Sequence, residues 1–209
     1  MHTEPTTRTE PTTRTDQLQA AAEEMLHLAS KVTDDELHRP TQCDALDLSA
    51  LFGHVIGLCQ AFAAAGRKEF GPLTSTPPDP AAAELPADWR EQLTINLRDL
   101  VQSWRGAEAW EGMTQAGGVD APAEIMGTTA LSELVLHGWD VSRAVGGDYR
   151  VADDVLAPVF ELHHPPQPQS ERDGMFGPVV EVPDDAPLLD RLLALCGREP
   201  FWPHGTLEG

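Results

Sequence analysis

Two histidines and a glutamate carry the chemistry that this sequence offers. Glu133 and His137 stand four apart in Glu133-Leu134-Val135-Leu136-His137-Gly138-Trp139-Asp140, and His54 lies in Leu51-Phe52-Gly53-His54-Val55-Ile56-Gly57. On a helix, residues four apart sit one turn above each other on the same face. Glu133 and His137 can therefore present a carboxylate oxygen and an imidazole nitrogen to one point, and His54 on a facing helix would supply a third ligand. A His-His-Glu set leaves coordination positions open, as in catalytic rather than structural zinc sites. It also tolerates nickel, iron or manganese. The neighbours Leu134, Val135, Leu136 and Val141 are apolar, so a carboxylate facing inward among them needs a partner.

Two further residues belong to this argument. Asp140 falls within about 20° of Glu133 at ~100° per residue. It is placed either to accept from a ligating imidazole and orient it, or to pair with Arg143 three residues on. Arg143 in turn could hold the carboxylate of a small acidic substrate by a bidentate pair. The doublet His163-His164 has a metal-binding look, but a proline-rich stretch follows it and it reads as surface. Cys43, Cys59 and Cys196 show no CxxC spacing and read as reduced thiols of a cytoplasmic protein.

Helices must position these groups. Residues 3–8 repeat as 9–14, a polar repeat that predicts a disordered tail over 1–15. A first helix is expected from about Asp16 to Val32, with Leu18, Ala21, Ala22, Met25, Leu26 and Leu28 at helical spacing. The second begins at the N-cap Asp47, presents Leu48, Leu51, Val55, Leu58 and Phe62, and stops at Gly66. After a proline-rich loop over 71–86, a third spans about Ala87 to Trp104, with Trp89, Leu93, Leu97, Leu100, Val101 and Trp104 as its apolar residues. The glycine-bearing stretch Gly106 to Val119 reads as a long connection. Asp120 and Pro122 then signal the start of a fourth helix and Gly146-Gly147 its stop. The expected fold is all-α: a four-helix bundle over 16–147 and a C-terminal extension over 148–209 packed on it. Within the extension, Val151 to Leu162 suggests a short helix interrupted at Pro158, and Asp185 to Gly197 a last one.

Composition narrows the partners. The 209 residues hold 14 Lys and Arg against 34 Asp and Glu, a formal net charge of -20, which argues against nucleic acid and anionic membrane. No apolar run approaches the roughly 20 residues of a membrane span, and the first residues have no apolar core of a signal peptide. A monomer and a homodimer are both compatible with the sequence.

Three stretches resemble the DinB-like metal-binding bundles, in the branch related to actinobacterial mycothiol-dependent maleylpyruvate isomerase. They are Thr41-Gln42-Cys43 with Asp47 to Gly57, then Glu133 to Gly146 as E-x-x-x-H-G-W-D-x-x-R-A-x-G, and Arg172 to Pro178 continued by Asp190 to Arg198. The resemblance implies a DinB-like four-helix bundle, a divalent metal (usually zinc) on His54, Glu133 and His137, and mycothiol as cosubstrate. The C-terminal region is shorter than that of the isomerases and of another type, and Leu46 stands where many members have Trp.

The chain offers no obvious nucleophile of its own, which fits a borrowed thiol, and no catalytic residue is assigned. The leading expectation is a metal- and mycothiol-dependent transferase or isomerase acting on a small electrophile. The alternatives are a non-catalytic metal-binding or stress-related scaffold and a metal-dependent hydrolase.

Overall fold

The computed structural model describes residues 12–43, 46–79, 84–172 and 174–201. Four long helices form its centre: α1 (Arg14–Ala29), α2 (Leu48–Gly66) and, after the short α3 (Pro72–Ser75), α4 (Trp89–Ser103) and α5 (Ala123–Val145). α2 packs on α4 and α5, and α1 on α5 and α4. This is the DinB-like bundle expected from the sequence. The apolar stripes read from α1, α2 and α4 are buried except at Leu26, which is half-buried.

Local chemistry sets the helix ends. Thr13 caps α1 in a reciprocal box, its Oγ1 accepting from the Asp16 N–H at 3.2 Å while its own N–H donates to Asp16 Oδ2 at 3.0 Å. α1 therefore starts at Arg14, inside the stretch expected as tail; residues 1–11 of that tail lie outside the described residues. Asp47 Oδ1 accepts from the Ala50 N–H at 2.9 Å and fixes the start of α2. α5 ends where Gly146 turns left-handed at φ 70°, and the Gly147 N–H then bonds Ser142 O at 2.8 Å.

α2 is 19 residues long and apolar enough, by length and composition, to cross a membrane, a longer apolar run than the sequence suggested. In the structure 67 % of that stretch is buried inside the protein, as befits a helix that is apolar nearly all round and sits in the middle of a core. Its C-terminal end is locked to α4 by Trp104, which is fully buried and donates Nε1–H to Phe62 O at 2.9 Å.

Besides the short α3 inside the loop expected over 71–86, three departures from the expected elements occur. The connection after α4 contains an antiparallel hairpin, β1 (Met113–Ala116) and β2 (Val119–Pro122), turned by Gly117 and Gly118 at φ 58° and 78°. Asp120 and Pro122 thus belong to a strand, and α5 starts directly after it. α6 (Asp153–His163) runs through Pro158 without a break, its Val155, Leu156 and Val159 buried; α6 packs against α5, α1 and α8 (Leu188–Leu195). The last helix, α8 (Leu188–Leu195), is shorter than expected because Pro187 delays its start.

Polar groups fasten the C-terminal elements. Arg172, at the end of α7 (Gln169–Arg172), is buried and donates to the carbonyls of Gly177, at 3.1 Å, and Leu195. Gln42, in the connector before α2, grips the Glu199 backbone with both ends of its amide: Nε2 donates to Glu199 O and Oε1 accepts from the Glu199 N–H, each at 2.9 Å.

Candidate metal centre

α2 and α5 cross with His54 facing one turn of α5. Glu133 and His137 project from that turn, and Asp140 lies below them on the same face. The ligand atoms of His54, Glu133 and His137 all lie within 4.8 Å of one another. The two imidazoles meet edge to face, centroids 5.3 Å apart and planes at 81°. Donor atoms around a tetrahedral zinc with bonds of about 2.0–2.1 Å are roughly 3.3 Å apart, so closing this set on an ion needs side-chain movements on the order of 1 Å.

The two nitrogens of His137 have different partners. Nδ1–H donates to Asp140 Oδ2 at 3.1 Å, deep in the protein, while Nε2 lies 3.0 Å from Glu133 Oε2, whose side chain is 30 % exposed. Burial opposes a charge on His137, but the hydrogen bonds to Asp140 and Glu133 outweigh it and raise its pKa to about 9. Burial would also raise the Glu133 carboxyl, yet the His137 hydrogen bond and the positive charges around it hold it below the usual range. His54 is pushed the other way: burial first, then the charge of His137, lower it to about 4, against the opposing pull of Glu133. Without an ion, then, His54 offers a lone pair at neutral pH, and a proton sits between Glu133 and His137 where a cation would go.

Asp140 is fully buried, and burial alone would raise its pKa. The guanidinium of Arg198 and the His137 hydrogen bond instead hold it low. Arg198 binds it with both arms of its fork, Nε to Oδ1 at 3.0 Å and Nη2 to Oδ2 at 2.8 Å. Of the two readings of Asp140, the carboxylate facing His137 is the one observed, and its cationic partner is Arg198 rather than Arg143. Arg143 lies over the Trp139 ring, 5.6 Å from its centroid, with Asp190 as the acidic charge acting on it.

A second donor group, Cys43 with His137 and Asp140, is equally compact. It suits a cation poorly, because the Arg198 guanidinium already occupies both oxygens of Asp140. Two imidazoles and one carboxylate with an exposed edge fit a divalent ion better. Cys59 and Cys196 are buried, and burial pushes both thiols up to about 12, so neither is a thiolate at neutral pH.

Two neighbours of this cluster were not assigned from the sequence. His163, read as surface, ends α6 half-buried. Its Nε2 shares a 2.8 Å hydrogen bond with Ser132 Oγ, its ring meets Phe176 edge-on, and burial lowers its pKa to about 4. Ser132 directly precedes Glu133, a proximity that only tertiary packing reveals. Arg198 was visible only as an arginine in a C-terminal motif. The signal that could have found it was the need of a buried Asp140 for a counter-charge.

Comparison with known proteins places these observations. Residues 18–142, more than half of the chain, match the family described as the mycothiol maleylpyruvate isomerase N-terminal domain. No curated protein matches the chain. A crystal structure of the mycothiol-dependent maleylpyruvate isomerase superposes with a TM-score of 0.51 at 20 % identity, over 70 % of this chain and 66 % of that one. A structure of a histidine-to-alanine mutant of that isomerase gives a TM-score of 0.49 at 19 % identity, over the same shares. The chain thus spans just under two thirds of the isomerase's length, and at these identities the likeness is one of fold.

Proposed function

This chain belongs to the family of the mycothiol maleylpyruvate isomerase N-terminal domain, and on that premise we propose that it holds a divalent ion on His54, Glu133 and His137 and uses mycothiol to act on a small electrophile, as a transferase or isomerase. Zinc is the ion proposed, with nickel, iron or manganese compatible with the same donors. One observation carries the reading: three donors of the right type converge from two helices, with Glu133 reaching solvent.

The residues divide the work. His54, kept neutral by burial, gives a nitrogen without first losing a proton. His137 is aimed by its Nδ1 bond to Asp140, which leaves Nε2 for the open side. Glu133 brings the set's one negative charge, because Asp140 is cancelled by Arg198. A divalent ion among these groups keeps a net charge of one, which favours an anionic fourth ligand. Bound there, the ion would supply Lewis acidity that draws a thiol to its thiolate at neutral pH. The buried thiols of Cys59 and Cys196 do not compete as nucleophiles. The part of the isomerase that this chain does not span is a reason to propose a small electrophile in general rather than maleylpyruvate in particular.

The test is to incubate zinc-loaded protein with mycothiol and a panel of small electrophiles while following free thiol and product. Thiol consumed identifies a transferase, and a rearranged product with thiol conserved an isomerase. Either activity should vanish in His54→Ala. Product formed without thiol would replace this reading with a hydrolase, and no turnover on any substrate, with zinc bound, would leave a scaffold.

A further inference from the structure

Arg198 reaches the cluster from the C-terminal segment. Arg198 follows α8 at a turn made by Gly197, which is left-handed at φ 73° and lies so close to Gly177 that a Cβ there would sit 2.6 Å from the Gly177 backbone. The Arg198 N–H closes the turn on Leu193 O at 2.9 Å, and Gln42 clamps the next residue. From this seat the guanidinium enters the bundle and takes both oxygens of Asp140, whose Oδ2 also accepts from His137 Nδ1. Arg198, Asp140 and His137 are all buried.

We propose that Arg198 is a positioning residue of the metal centre: by fixing Asp140 it fixes the ring angle and tautomer of His137, so the seating of the C-terminal segment and the affinity for the ion are one coupled equilibrium. The inference rests on the ion site proposed above. Its physical basis is direct. A carboxylate held by a bidentate fork cannot swing, and an imidazole donating Nδ1–H to a fixed carboxylate must present Nε2 to the ion. With Arg198 withdrawn, the Asp140 carboxylate is no longer gripped at both oxygens and can turn, and the His137 ring that donates to it turns with it. Coupling of this kind is reciprocal, so the ion must also stabilise the seated segment.

The experiment measures zinc affinity of the full-length chain by competition with a chromogenic chelator at pH 7.5. Arg198→Gln should weaken zinc about 10- to 100-fold, the range for lost outer partners of a ligand. Arg198→Lys should fall between, since lysine keeps the charge and loses the fork. Gly197→Ala, which touches neither donor nor ion, should weaken zinc because it unseats Arg198. In the reciprocal arm, zinc should slow amide hydrogen exchange over residues 193–199 in the wild type and not in His54→Ala. Should Arg198→Gln fail to fold, Gly197→Ala and the exchange arm decide. Unchanged zinc affinity in the folded Arg198 and Gly197 variants would overturn the proposal and leave the ion site intact. Zinc binding that His54→Ala does not weaken would overturn the ion site itself, and the proposal with it.

Discussion

The bundle and the C-terminal segment share one apolar core, Leu192 and Leu193 included, but the segment is fastened by a second kind of contact. Outside the His54, Glu133, His137 and Asp140 cluster, the contacts among α1, α2, α4 and α5 are mainly apolar stripes; Trp104 is typical, a buried indole with one hydrogen bond to a carbonyl. The segment after α6 is also held by polar contacts: its guanidinium groups bind backbone carbonyls and one buried carboxylate, and the Gln42 amide from before α2 grips its backbone. Apolar packing is forgiving in direction and large in energy. Charge-assisted hydrogen bonds are exacting in direction and modest in net energy. The difference teaches that stability and aim are supplied by separate parts of this molecule. The bundle brings His54 near α5, and the segment sets how His137 points.

The widest test of that division is Trp104→Ala. Loss of a fully buried indole should cost about 3–5 kcal/mol in urea denaturation, while the protein that remains folded should bind zinc as tightly as the wild type. A large fall in zinc affinity would break the division, because aim would then depend on the bundle core. Asp140→Asn is the mirror case. It should weaken zinc about 10- to 100-fold, by the loss of a ligand's outer partner, and the loss should not add in full to that of Arg198→Gln, since both sever one chain. Strict additivity would show that the two residues act independently.

Acidity gives a third, smaller handle. An unfolded histidine titrates near pH ~6.5. His54 and His163 are lowered to about 4 when folded, so between those values the unfolded chain binds more protons and stability must rise with pH. His137 is raised to about 9, so its contribution is complete below about 6.5 and is lost as pH climbs to about 9. Glu133 and Asp140, both held low, deepen the acid loss below the usual carboxylate range. Chelated protein should thus be most stable near pH ~6.5, as read by denaturation at pH 4.5, 6.5 and 9. His163→Gln should make the acid limb shallower and leave the alkaline one. A profile that keeps rising to pH 9 would contradict a protonated His137 between Glu133 and Asp140. The smallest effect is expected at the exposed pair Arg67–Asp99, whose contact is 2.9 Å but whose side chains are 37 % and 49 % exposed. Asp99→Asn should cost no more than about 1 kcal/mol and leave zinc affinity alone.

The bundle was legible because its signals are local. Asp47 before Leu48 and Gly146 after Val145 bound their helices, and the stripes between them follow one period. The hairpin was missed although Gly117-Gly118 is a two-residue hairpin turn; its strands are only four residues each, and Asp120 and Pro122 look equally like a helix start. Pro158 did not break α6, because α5, α1 and α8 pack on that helix and outweigh one lost backbone bond. At the site, the spacing of Glu133 and His137 told which groups share a face, and the structure brings His54 to them. Arg198 lies 58 residues from Asp140, beyond any periodic pattern, and Arg143 was the nearer candidate for the same carboxylate. His163 was hidden by its proline-rich neighbours, which describe the chain after it and not the helix that delivers it.

The grip of Gln42 on Glu199 has a bearing on how this protein can drift. Gln42 reads the peptide group of residue 199 and nothing of its side chain, so the latch is blind to what mutation writes there. Nineteen residues keep the N–H that it needs, and proline alone does not. Position 42 is the opposite: it must span that distance with a donor at one corner and an acceptor at the other, which among side chains of this length only glutamine does. Among relatives that keep the latch, position 42 should be fixed while position 199 wanders through every residue but one.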